Sequence, residues 1–247
     1  MPNQTQRVAL VTGAARRVGA AIARTLHAAG YDVALHCRRS VAERDAVIAE
    51  LESQRAASTL GLQADLRDSD RLPELVAETL SRFGRLDALV NNASTFYPTP
   101  LGGIEARQCD ELFAANARAP LLLAQAAAPH LKSARGAIVN IVDIYAERPL
   151  PQHAAYCMSK AALAMATLSL AQELAPEVRV NGVAPGAVLW PESGKEYADR
   201  QTILARTPLG RAGSPGDIAG AVLWLLRDAP FVTGEIIRVD GGRTINP

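Results

Sequence analysis

Val8-Ala9-Leu10-Val11-Thr12-Gly13-Ala14-Ala15-Arg16-Arg17-Val18-Gly19 is the stretch that decides the fold. Four apolar residues read as a short buried strand, Gly13 allows a tight turn, and a helical pattern follows from residue 16 to residue 29, where Gly30 stops it. Gly19 lets that helix pack closely on the strand. The N–H groups and positive dipole end at the helix start then suit a pyrophosphate. A glycine-rich turn alone is a weak signal, but the strand before it and the helix after it strengthen the reading.

Working outward, further strands are expected at residues 32–36, 58–63, 87–90, 136–142, 178–183 and 235–239. Helices are expected at 41–54, 69–83, 107–131, 152–175 and 215–226. Such alternation predicts an α/β fold: one Rossmann-type doubly wound parallel sheet, with helices on both faces, in a single domain over residues 1–247. The stretch 187–206, with Pro191 and Gly194, has no clear period and is the expected substrate loop. Ligands of open α/β sheets sit beyond the carboxyl ends of the strands, so the loops after Val11, His36, Gln63, Val90, Val142 and Val183 should converge on one site.

Composition narrows the function classes. With 26 Lys and Arg against 25 Asp and Glu among 247 residues, the charge does not suit a general nucleic-acid binder. Cys37, Cys109 and Cys157 form no C-x-x-C pair and the histidines show no ligand spacing, so no metal is expected and a reducing cytoplasm is the expected compartment. No apolar run reaches about 18 residues, so no membrane span is expected.

The second strand ends in His36-Cys37-Arg38-Arg39-Ser40. An acidic residue there would bind the ribose 2′-hydroxyl of NAD. Two arginines and a hydroxyl suit a 2′-phosphate instead, and NADPH is the expected cofactor. Asp65-Leu66, after the third strand, either meets the adenine amino group or caps the next helix.

Chemistry is concentrated in Asp143-Ile144-Tyr145 and Tyr156-Cys157-Met158-Ser159-Lys160. On a helix, Tyr156 and Lys160 share a face about one turn apart. The Lys charge is expected to favour phenolate and make Tyr156 a proton donor or acceptor near neutral pH. Asp143 is an unusual third partner.

Taken together, the T-G-x-x-x-x-x-G turn, Asn91-Asn92-Ala93, Asn116, Tyr156-x-x-x-Lys160 and Pro185-Gly186 resemble the short-chain dehydrogenases/reductases over essentially the whole chain. Three departures point to a subgroup. Arg17 replaces the usual second glycine of the turn, Asp143 replaces the usual serine, and Asn91-Asn92-Ala93-Ser94 runs on into Thr95-Phe96-Tyr97-Pro98-Thr99-Pro100-Leu101. All three resemble pteridine reductases and the related dihydromonapterin reductases. That resemblance implies NADPH-dependent reduction of a dihydropterin, with dihydrofolate and oxidised pterins as further substrates.

It also implies residue roles. Phe96 would stack on the pterin, and Arg17 and Ser94 would bond the pterin edge or the cofactor phosphate. Asp143 would relay a proton through water held by Asn116, Tyr156 would donate in the reduction of an oxidised pterin, and Lys160 would hold the nicotinamide ribose. Asn92, Ala93, Pro185, Gly186 and Val188 would border the cofactor, and Leu189 and Trp190 would close over the substrate. A homotetramer is implied as well. Two rivals remain at this stage: a carbonyl or 3-oxoacyl reductase, and a non-catalytic NADPH-binding sensor.

Overall fold

The computed structural model describes residues 6–188 and 200–245. Seven parallel strands, β1 (Val8–Val11), β2 (Asp32–Cys37), β3 (Thr59–Gln63), β4 (Ala88–Asn91), β5 (Ala137–Ile141), β6 (Arg179–Pro185) and β7 (Ile236–Val239), form one sheet in the order β3-β2-β1-β4-β5-β6-β7. The chain therefore winds one way from β1 to β3 and the other way from β4 to β7. The crevice falls between β1 and β4, where Leu10 pairs in register with Leu89. The expected fold class is what is found.

Strand pleating explains why both faces are apolar. Ala9 and Val11 of β1 enter one core with Val33, Leu35, Val90 and Val139, whereas Val8 and Leu10 enter the other with Ala34, Leu89 and Ile138. Helices α1 (Arg17–Ala28), α2 (Val41–Gln54) and α8 (Pro215–Arg227) cover the first face; α3 (Arg71–Phe83), α5 (Ala119–Ala134) and α6 (Ala154–Glu173) cover the second. In α3 the buried residues Leu72, Leu75, Val76, Thr79 and Phe83 recur at helical spacing. Burying each leucine fully contributes about 1.5–3 kcal/mol.

Arg179 fixes the end of α8, donating to the carbonyls of Leu225, Leu226, Ala229 and Val232 at 2.6 to 3.4 Å. A cation at a helix C-terminus satisfies orphan carbonyls and complements the dipole.

Three expected elements need correction. The long helix is not continuous: α4 (Ala106–Phe113) passes into a π-helical turn at Ala114–Arg118 before α5 resumes. The Tyr156 helix starts at Ala154 rather than residue 152, because Gln152 takes a positive φ of 62°. Part of the supposedly irregular stretch is helical, as α7 (Arg200–Ala205). Among the described helices, α6 alone is long and apolar enough by composition to cross a bilayer, yet it packs on the sheet and carries Tyr156 and Lys160.

Candidate active site

At the β1–α1 turn, sterics dictate glycine. A Cβ on Gly19 would lie 2.0 Å from the Gly13 carbonyl oxygen and 2.6 Å from Asn92 Nδ2, and Gly13 itself has φ 64°. Asn92 Nδ2 donates to the Thr12 and Gly13 carbonyls at 2.8 and 3.1 Å, and Thr12 Oγ1 accepts the Asn92 and Ala93 N–H groups at 2.9 and 3.0 Å. Sequence reasoning missed Thr12, whose hydroxyl knots β1 to β4 across the crevice. Arg17 sits at φ 52°, in the left-handed region that favours glycine, at a cost of about 1–2 kcal/mol. No side chain caps α1, and its first turn holds no acidic residue. That is the arrangement an anion can complete.

A cleft of about 550 Å³ opens over this turn. Gly13, Arg16, Arg17, Val18 and Gly19 line it with Arg38, Arg39, Ser40, Asp65, Leu66, Asn92, Ala93 and Ser94. The structure thus brings together the dinucleotide residues read after β1, β2, β3 and β4, though Tyr156, Lys160, Pro185, Gly186 and Val188 do not line this cleft, and those present fit a dinucleotide: a close backbone turn for a pyrophosphate, and two exposed arginines and a serine for a further phosphate.

Two of those readings change. His36 lines the cleft but is 1 % exposed, and both ring nitrogens serve the protein. Nδ1 accepts from the Gly13 N–H at 3.3 Å, so Nε2 carries the proton and donates to the Ala64 carbonyl at 3.1 Å. Burial pushes its pKa down to about 4, which keeps the ring neutral. His36 is a brace between two cofactor loops rather than a ligand contact. Asp65 caps no helix, since α3 starts at Arg71. Its carboxylate accepts three bonds from the Arg67 guanidinium at 2.6 to 3.1 Å, and that partner holds its pKa down at about 2. Arg67 was legible only as an arginine two residues on.

Beyond the cleft, along the carboxyl edge of the sheet, Tyr156 Oη donates to Asp143 Oδ2 at 2.6 Å. That length is typical of a hydroxyl donating to a carboxylate. Asp143 follows β5 in extended conformation, and its Oδ1 accepts the Tyr145 N–H at 3.0 Å. Burial raises the Asp143 pKa, against the bonds from Tyr156 and Tyr145 and the nearby Lys160 charge. Lys160 is 2 % exposed and donates to the Ile141 carbonyl at 2.9 Å. Burial lowers its pKa to about 8, while Asp143 pulls the other way.

Asp143 touches the Tyr156 hydroxyl, whereas the Lys160 nitrogen lies 5.9 Å from the ring centroid. Lys160 retains two N–H donors beyond the bond to Ile141.

Asn116 lies in the π turn and is wholly buried. Its Oδ1 accepts from Ser94 Oγ and the Thr95 N–H at 3.1 and 2.8 Å, and its Nδ2 donates to the Thr95 carbonyl and Ser159 Oγ at 2.9 and 3.0 Å. With both donors and both acceptor sites engaged, its side chain ties the Ser94–Thr95 loop to α6. Phe96 stacks on His153, with centroids 4.7 Å apart and 13° between planes, and meets Tyr156 edge-on at 4.7 Å. Pro185 ends β6, the Gly186 N–H bonds the Val239 carbonyl at 3.0 Å, and Val188 bridges to Gly213. Leu189 and Trp190 lie outside the described residues. Cys157 is buried, its thiol pKa raised by burial, in keeping with a packing role. Among the described residues no cluster could hold a metal.

A dinucleotide cleft at the switch of strand order, beside a Tyr–Lys–acid constellation, defines a nicotinamide-dependent oxidoreductase. Residues 13–244 match the family model described as enoyl-(acyl carrier protein) reductase. The chain belongs to the short-chain dehydrogenase/reductase family, whose members use NAD(P)H. It is 37 % identical to pteridine reductase 1 of Leishmania tarentolae over 98 % of this chain and 97 % of that protein. It is 34 % identical to 3-oxoacyl-[acyl-carrier-protein] reductases of Staphylococcus aureus strain Mu50 (95 % of this chain, 96 % of the relative) and Synechocystis sp. (96 % and 97 %).

Proposed function

We propose that this protein reduces dihydropterins to tetrahydropterins with NADPH, and takes dihydrofolate and oxidised pterins as further substrates. The observation that carries the reading is the buried Asp143 carboxyl 2.6 Å from the Tyr156 hydroxyl. A carbonyl reductase needs a neutral donor beside an oxygen that becomes alkoxide, and a carboxylate there would repel it. A pterin ring nitrogen instead gains a proton as the adjacent carbon is reduced. An acid whose pKa is raised by burial suits that task.

Bound in the cleft, NADPH would supply the hydride. The α1 N-terminus and the Gly13 turn would hold its pyrophosphate, Arg38, Arg39 and Ser40 its 2′-phosphate, and Lys160 its nicotinamide ribose. Asp143 passes a proton toward the substrate nitrogen, directly or through water, and Tyr156 sits in hydrogen-bond reach to resupply it. His153 stacks on one face of Phe96, so a pterin that stacks on Phe96 with that histidine in place cannot use that face.

The test is NADPH oxidation at about 340 nm (the nicotinamide band) with dihydrobiopterin, dihydromonapterin, dihydrofolate and an acetoacetyl thioester, with NADH as control. Turnover on the dihydropterins is expected. Turnover on the thioester alone would favour the second reading, a 3-oxoacyl reductase, which the Staphylococcus and Synechocystis relatives support.

Arg39→Ala tests the phosphate clamp. Losing a charged hydrogen bond of about 1.5–3 kcal/mol should raise the Kd for NADPH roughly tenfold to a hundredfold and leave NADH within about twofold. Equal weakening of both, by fluorescence titration, would sink the assignment. We also propose a homotetramer packed through α5 and α6. Leu121, Met158, Met165 and Leu168 expose 43 to 60 % of their surface on those helices, which supports it.

A further inference from the structure

His153 is the residue just before α6, and Tyr156 and Lys160 follow three and seven residues on along one side of that helix. Burial falls along it: Lys160 is 2 % exposed and Tyr156 4 %, whereas His153 is only partly buried at the rim. A substrate whose reacting ring meets Asp143 and Tyr156 would have His153 within reach of its outer part, since Phe96 touches both the Tyr156 and the His153 rings.

That histidine is held in place. Its ring stacks on Phe96. Its Nδ1 lies 2.8 Å from the Pro151 carbonyl, which can only accept, so Nδ1 carries the proton. The neutral ring then presents Nε2 as an acceptor. The backbone is pinned too: Thr99 bridges to His153, and the Thr99 N–H bonds the Gln152 carbonyl at 2.6 Å. Thr99 Oγ1 accepts the Ala155 N–H at 3.4 Å, a cap for α6 supplied by the loop that carries Phe96.

We infer that His153 is a specificity-determining residue, which reads hydroxyl groups on the C6 substituent of the pterin. This rests on the pterin reading of the site. A hydroxyl donates and accepts, so it can pair with Nε2 whether or not that nitrogen carries a proton, and a methyl group can do neither. The favoured substrate class is thus a dihydropterin with a short polyhydroxylated chain, ahead of one with a bare methyl or an aroylglutamate tail.

The test compares kcat/KM for 7,8-dihydrobiopterin, 6-methyl-7,8-dihydropterin and dihydrofolate in the wild type and in His153→Phe, which keeps an aromatic ring for Phe96 and removes the acceptor. In the wild type, dihydrobiopterin should exceed 6-methyl-dihydropterin by roughly fivefold to tenfold, the worth of one neutral hydrogen bond, chiefly through KM. In His153→Phe that ratio should fall to about one to two. A wild-type ratio near one overturns the inference even if the variant cannot be folded, and so does a ratio that survives in a folded variant. If no dihydropterin is turned over while an acetoacetyl thioester is, the pterin reading itself has failed, a result distinct from either.

Discussion

Asp143→Asn should lose about a hundredfold to ten-thousandfold in dihydropterin turnover, the range for removing a general acid, while NADPH binding survives. Asparagine keeps the shape of the side chain. Its Oδ1 can still accept the Tyr145 N–H, and its Nδ2 can donate to the Tyr156 oxygen, so the bonds seen at 3.0 and 2.6 Å have replacements. What it cannot do is release a proton. Asp143 also supports the Lys160 charge, and its removal lowers the Lys160 pKa further below about 8. The assay therefore belongs on the acid side of neutrality, which favours the charged form of Lys160 in both proteins.

Stability supplies the control. The folded Asp143 pKa lies above its ordinary value of 3.8, so the native state binds this proton more tightly than the unfolded chain does. Stability from this group is full below that ordinary value and is lost as pH rises through the raised one. At neutral pH the asparagine variant should melt no lower than the wild type, and any advantage should vanish in acid. Near-normal dihydropterin turnover in a folded variant would remove Asp143 from the proton relay.

Much of this site could be read from the sequence because its parts are local. The β1 turn, the arginines after β2 and the Tyr–Lys face of α6 each follow from a few adjacent residues and a period. What could not be read is set between segments. Nothing near Asn116 announces a π turn, since its alanine neighbours suit an α-helix; the turn accompanies an amide bonded to Ser94, Thr95 and Ser159. His36 looked like a ligand because it stands beside the phosphate arginines, but its partners Gly13 and Ala64 lie in the turns that follow β1 and β3. The same holds for His153, whose stacking partner lies 57 residues earlier. Periodicity locates a side chain on a face; only the packing of the faces tells which atom it meets.

Gly19→Ala should be the most damaging single methyl in the protein's cofactor cleft. The added carbon would sit 2.0 Å from the Gly13 carbonyl oxygen and 2.6 Å from Asn92 Nδ2, closer than any real contact. Neither neighbour can yield easily. The Gly13 carbonyl is backbone, and Asn92 is committed to the Thr12 and Gly13 carbonyls across the crevice. Relief must come from moving the start of α1 away from the turn, which opens the close approach that a pyrophosphate needs. Overpacking of this kind costs about 1–3 kcal/mol, or roughly 2–4 °C of Tm per kcal/mol in a chain of this size. The Kd for NADPH should rise about tenfold to a hundredfold, at about 1.4 kcal/mol per decade.

Gly220→Ala on α8 is the matched control: no heavy atom lies within 4 Å of its would-be Cβ, and it is exposed. There the methyl should stabilise by about 0.5–1 kcal/mol, because alanine is the better helix residue. Calorimetry and a cofactor titration on the two variants separate local geometry from the general effect of alanine. If Gly19→Ala melts and binds like the wild type, then α1 does not sit against the β1 turn as described, and the cleft cannot be the cofactor site in this form.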